Sequence, residues 1–165
     1  MVAEQIGRQP RAFRGVAVRC PFGYPAVAEQ SPYDETGAPF PTTYWLTCRH
    51  LVAAVSRLEA AGGVERWSEA ARSDPELAAS LVRANEEQVE IRRGLADGGP
   101  LPDAGASLEL GIGGSSRSGS LKCLHAHVAY ALAHPSYELG RRILREVDPL
   151  WPRGRCCSAA GEGQG

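Results

Sequence analysis

Thr42-Thr-Tyr-Trp-Leu-Thr-Cys-Arg-His-Leu-Val-Ala-Ala-Val-Ser-Arg-Leu58 is the stretch in which the chain changes its period. Its first six residues, Thr42 to Thr47, are β-branched or aromatic apart from Leu46, and they read as a strand. Beyond Cys48, Leu51, Ala54, Val55, Leu58 and Ala61 recur at three- and four-residue spacing, which predicts a helix. Gly62-Gly63 closes it. Upstream of this switch the signals are β. Arg14 to Cys20 is a β-favouring run, Pro21-Phe-Gly-Tyr-Pro25 is turn chemistry, and Ala26 to Ser31 can return as an antiparallel partner. Downstream the signals are helical. Val64 to Arg72 reads as a short helix, and Ser73-Asp-Pro-Glu76 as the start of another, with Ser73 as cap and Pro75 in the first turn.

Leu77, Leu81, Val82, Val89 and Ile91 carry that helix towards Leu95, with Glu86, Glu87, Glu90, Arg92 and Arg93 as its wet face. Ala96 to Ser120 loses all period and reads as a long loop rich in Gly, Ser and Pro. Ser120 then caps a helix through Leu121 to Ala133, which Pro135 ends, and Leu139 to Val147 gives a last short helix. Strands first and helices after predict an α+β fold: a small N-terminal antiparallel sheet packed against a helical C-terminal part.

The chain's 165 residues are 43% hydrophobic and 22% charged, the composition of one globular domain. Eighteen Lys and Arg against 19 Asp and Glu exclude nucleic-acid binding by bulk charge. The longest apolar runs, Leu51 to Val55 and Val128 to Ala133, are too short to span a membrane. The first ten residues lack the apolar stretch of a secretory signal, so the expected compartment is the cytoplasm.

Five cysteines occur. Cys156 and Cys157 lie in a Gly- and Arg-rich tail over 152–165, expected to be disordered and dispensable. The odd set that remains, Cys20, Cys48 and Cys123, reads as reduced thiols. Cys123 and His127 are four apart and share a helix face, whereas His125 points elsewhere unless the helix begins later than Leu121. Joined to Cys20 and Cys48 at strand ends, they could make a tetrahedral thiolate–imidazole site. Such donors favour zinc or an iron–sulfur cluster. His50 is a further candidate ligand. The opposing reading makes the thiols small buried hydrophobes. A third makes one thiol a nucleophile, because Arg19, Arg49 and Lys122 each adjoin a cysteine and Cys123 falls in a first helical turn. Gly111, Gly113 and Gly114 form a weak anion-binding candidate, since Gly-rich loops can present amides to anions. Ser120 and Leu121 stand where a P-loop needs Lys and Ser/Thr, so the loop is not a standard one.

Arg19-Cys20-Pro21, Gly23 with Pro25 and Val27, Gly37 with Pro39-Phe-Pro-Thr42, Tyr44-Trp-Leu-Thr-Cys48, Gly111 with Gly113-Gly114, and Lys122-Cys-Leu-His-Ala-His127 together resemble the bacterial DUF501 family. The resemblance covers about residues 7–148 and implies one domain over that span. It implies no activity, only cytoplasmic proteins often encoded near an exopolyphosphatase-type phosphatase and a septum-formation protein. It implies that Cys20, Cys48, Cys123 and His125 are family features, with His replacing Cys48 in some members and position 127 less uniform. Arg49, where Pro is usual, is a departure, as is a longer loop before Gly111. Together, the residues and the resemblance lead to the expectation of a metal-binding protein, zinc before iron–sulfur, held by Cys20, Cys48, Cys123 and either His125 or His127. If the metal were catalytic, Glu109 would be the candidate base. The alternative expectation is a non-enzymatic module that binds an unknown protein or small molecule.

Overall fold

The computed structural model describes residues 1–96, 98–116 and 119–157. Three strands, β1 (Phe13–Arg19), β2 (Pro25–Gln30) and β3 (Tyr44–Leu46), form one antiparallel sheet in that order. Central β2 pairs Val18 with Val27 on one side and Val27 with Leu46 on the other. Its Ala26, Val27 and Ala28 are completely buried. The β1–β2 turn closes through Cys20, whose amide donates to the Tyr24 carbonyl at 2.8 Å and whose own carbonyl accepts from Gly23 at 2.9 Å. Gly23 takes a φ of 83° there, which a side chain would disfavour.

Six α-helices are described: α1 (Val2–Ile6), α2 (Arg49–Ala60), α3 (Gly63–Ser73), α4 (Pro75–Ala96), α5 (Leu124–Ala133) and α6 (Glu138–Leu144). The fold is α+β, as the change of period predicts. Helix α5 is its centre: seven of its ten residues are buried, and it packs against β3, α2 and α6. A helix apolar on every side has no wet face and must be enclosed.

Four expectations need correction. Cap geometry starts α4 at Asp74, whose carboxylate accepts the amides of Glu76 at 2.9 Å and Leu77 at 3.4 Å, while the Ser73 hydroxyl bonds back to the Glu69 carbonyl. A carboxylate beside a helix N-terminus also gains from the dipole, so it displaces the hydroxyl as cap. Arg92 is not on a wet face but 0% exposed, and Val82 is exposed instead. Two short 3-10 turns of the chain after α4, Ala106–Glu109 and Ile112–Gly114, fold over that side of the helix and cover it. The domain also begins before residue 7: Gln5 of α1 is buried and donates to the Pro25 carbonyl at 2.9 Å, while the Arg49 guanidinium donates to the carbonyls of Glu4 and Gln5.

The fourth concerns the tail. Of 152–165, residues 158–165 lie outside the described residues, but 152–157 return to the sheet and bring Cys156 to 4% exposure. The return is anchored upstream, where Arg66 grips Glu146 through two 2.7 Å bonds and the Pro149 carbonyl meets His50 Nε2 at 2.8 Å.

Candidate functional site

Cys20 follows β1, and Cys48 is the residue from which α2 springs. Strand pairing brings both to the same end of β2, where the Cys48 amide lies 3.4 Å from the Ala26 carbonyl. The sulfurs they meet there belong to the returning tail. Cys20 Sγ is 3.8 Å from Cys156 Sγ, and Cys48 Sγ is 3.6 Å from Cys157 Sγ. Cys20, Cys48 and Cys156 are all buried. None of the five cysteines, all among the described residues, is in a disulfide. Burial pushes the Cys48 thiol up to about 11, and Cys157 beside it adds to the rise; the amides of Leu51 and His50 act against it. Those amides lie at the N-terminus of α2, and their effect is smaller than that of burial, so burial wins. At neutral pH this thiol is protonated, a poor nucleophile and a poor ligand until something takes its proton.

The nucleophile reading is weakened further by where the neighbouring cations point. Arg19 donates to the Gly23 carbonyl at 2.8 Å, Arg49 to carbonyls of α1, and Lys122 to the Gly114 carbonyl at 2.8 Å. Each cation is turned onto backbone rather than onto sulfur.

Cys123 belongs elsewhere. It is the N-cap of α5, with φ −154° and ψ 145°, because the helix begins at Leu124 and not at Leu121. Burial raises its pKa, the Glu59 charge raises it further, and the amides of Ala126 and His125 lower it. The later start also leaves Cys123 off the helix face that carries His127. His127 is 1% exposed and points into the core, where Nδ1 meets the Tyr137 hydroxyl at 2.8 Å and Nε2 has no partner. Burial depresses its pKa to about 3, so it is a neutral core histidine. His125 turns to α2, with Nδ1 3.1 Å from a Glu59 carboxylate oxygen and Nε2 3.2 Å from the Ser56 hydroxyl. The structure therefore does not gather Cys20, Cys48, Cys123 and an imidazole into one set. Among the described residues, no group of three or more His, Cys, Asp and Glu side chains is arranged to hold a metal ion.

The glycine loop is also used differently from the anion-binding expectation. The Gly111 amide donates to the Ser115 carbonyl at 2.9 Å, Gly114 to the Gly111 carbonyl at 3.0 Å, and Ile112 to the Asn85 side chain at 2.9 Å. Amides spent inside the turn cannot cradle a phosphate. Close approach explains the glycines instead. A Cβ on Gly111 would overlap the Asn85 amide, one on Gly113 would lie 3.2 Å from Ala126 Cβ, and one on Gly114 would lie 2.9 Å from Pro41 Cβ. Arg117 and Ser118 of that loop lie outside the described residues. Glu109, the candidate base, is exposed and held by Arg93 at 2.7 Å.

Sequence reasoning missed Cys156 and Cys157. The signal was the apolar pair Leu150-Trp151, which packs against the core and carries the chain back before the cysteines are reached.

The chain belongs to the DUF501 family, described as a protein of unknown function, whose model matches residues 16–145. The matched span holds Cys20, Cys48, Cys123, His125 and His127, and it stops short of Cys156 and Cys157. Neither a curated protein nor a solved structure matches the chain. No helix among the described residues is long and apolar enough to cross a membrane.

Proposed function

We propose that the protein binds zinc through the thiolates of Cys20, Cys48, Cys156 and Cys157, and that the metal staples the returning tail to the sheet. The observation that carries this reading is the sulfur spacing. Zinc–thiolate bonds of about 2.3 Å at tetrahedral angles set neighbouring sulfurs about 3.8 Å apart. The two pairs stand at 3.8 and 3.6 Å. Cys156 and Cys157 are adjacent, so one backbone segment carries a sulfur of each pair, although the four sulfurs do not form one ligand group as they stand. A single ion would draw the pairs into one shell.

Deprotonation must come with binding, because Cys48 keeps its proton to about 11 without a metal. Affinity should accordingly rise with pH as protons are released. Four protein donors close the coordination sphere, which suits a structural ion and leaves no position for a reactive water. No hydrolytic role is assigned to it.

Elemental analysis of the full chain, purified without a metal-affinity tag from zinc-supplemented culture, tests the proposal. About one zinc per chain is expected in wild type and in Cys123→Ala, and none in the double variant Cys156→Ser/Cys157→Ser. A zinc-free wild type overturns the proposal. Zinc lost with Cys123→Ala yet kept in the double variant would return the site to Cys123. Visible absorption from iron–sulfur charge transfer in place of zinc would identify a cluster instead.

A further inference from the structure

Between α2 and α5 lies a constellation that the thiol pairs do not use. Ser56 and Glu59 are three residues apart on α2 and so share a face. His125, the second residue of α5, reaches across to both. Its Nδ1 is 3.1 Å from a Glu59 carboxylate oxygen and its Nε2 is 3.2 Å from the Ser56 hydroxyl. The same Glu59 oxygen accepts the Leu124 amide at 2.6 Å, so the backbone of the helix that carries the imidazole also pins the carboxylate.

This is a hydroxyl, a base and an orienting carboxylate within hydrogen-bond reach in series. The Glu59 carboxylate 3.1 Å away favours a proton on Nδ1, and in that tautomer the Nε2 lone pair faces the Ser56 hydroxyl. The Val52 carbonyl, 3.3 Å from Nε2, supplies what the next state needs. Once Nε2 takes the serine proton, that N–H can donate to Val52, and Glu59 stabilises the imidazolium. Nε2 thus has a donor partner for its neutral form and an acceptor for its charged form. Ser56 is exposed, whereas the side chains of His125 and Glu59 are 27% and 25% exposed. The nucleophile is open to solvent, and its supports are sheltered.

We propose that Ser56 is an acylatable nucleophile, with His125 as its general base and Glu59 as the positioning residue, acting on small activated acyl esters. Ser56 Oγ attacks the acyl carbon as its proton passes to His125 Nε2. The bond to the leaving alkoxide breaks with its electron pair, and the alkoxide takes the proton from Nε2. Water then attacks the acyl-serine, gives a proton to Nε2, and releases the acid as that proton returns to Oγ.

A fluorophosphonate probe reads the first half of this chemistry: an Oγ–phosphorus bond forms, and fluoride leaves with the serine proton. One adduct per chain, mapped by mass spectrometry to the Ser56 peptide, is expected for the full-length protein. Ser56→Ala should carry none. His125→Gln should label about 100-fold more slowly or worse, the usual scale of lost general-base help. Glu59→Gln keeps an acceptor for the Leu124 amide, and it should slow labelling while the helical circular dichroism is retained. Free imidazole should restore labelling to His125→Ala. An unlabelled wild type, or equal rates in wild type and a folded His125→Gln, would reduce the three residues to a helix–helix clasp.

Discussion

His127 shows how one buried side chain shapes the response of the fold to acid. The imidazole is enclosed against Tyr137, and burial holds its folded-state pKa at about 3 against an ordinary 6.5. The unfolded chain therefore takes a proton between pH 6.5 and pH 3 that the folded chain refuses. The contribution to stability is complete above pH 6.5 and is lost progressively as pH falls towards 3. The gap between 6.5 and about 3 corresponds to roughly 5 kcal/mol. His127→Asn keeps a polar group for the Tyr137 hydroxyl but has nothing to titrate. It should be less stable at neutral pH by about 1–3 kcal/mol through lost packing. Its unfolding free energy should also fall less steeply between pH 6.5 and pH 4. Denaturant melts of both proteins across that range check this, and parallel pH slopes would show that His127 is not the group responsible.

At the scale of elements, two helix starts decide where the chemistry-bearing groups go. Cys48 and Cys123 stand at equivalent places, each an extended residue before a helix. One is delivered to the end of β2 and the other to the face of α2. The returning segment after α6 completes the first of these places. Removal of residues 152–165 should uncover Cys20 and Cys48 and delete the buried Cys156. Loss of that packing alone should cost about 1–3 kcal/mol and lower the melting temperature by several degrees. If zinc is bound, the loss should be larger, because metal binding adds directly to folding free energy. A truncated chain with the melting temperature of the full chain would show that the segment contributes nothing.

For the whole molecule, Arg92 is the tie between α4 and the two long connections that cover it. Its guanidinium donates to the Ser107 carbonyl at 3.0 Å, the Phe40 carbonyl at 3.0 Å and the Thr43 hydroxyl at 3.3 Å, all from full burial. Burial lowers its pKa, and the charges of Tyr33 and Asp103 partly offset this. A buried cation is costly, so what Arg92 contributes is the reach of its planar fork to three acceptors at once. Arg92→Met removes the charge and takes this donor from the Ser107 and Phe40 carbonyls, while Thr43 keeps Gln88 as a donor, at a cost of roughly 2–4 kcal/mol. Arg92→Lys keeps the charge without the fork and should be no more stable than Met. Chemical denaturation of both variants checks this, and a Lys variant close to wild type would assign the role to charge alone.

The sequence by itself determined the order of the elements. The change of period at Cys48, the Pro-Phe-Gly-Tyr-Pro turn and the Gly62-Gly63 break are local signals, and local sterics and hydrophobic spacing suffice to read them. Cys20 and Cys48 stand out because the tail pair is set aside and because the family resemblance falls on them, not through their spacing. What no spacing could convey is which groups meet across the fold. Cys20 meets Cys156 from 136 residues away, and Cys48 meets Cys157 from 109. Arg92 looked like part of a wet face because a long loop had yet to be laid over it. Cys123 and His127 do not share a helix face because α5 starts at Leu124 and leaves Cys123 extended outside the helix. Those outcomes rest on contacts between distant segments, which become favourable only when the whole chain encloses its core, so only the tertiary structure decided them.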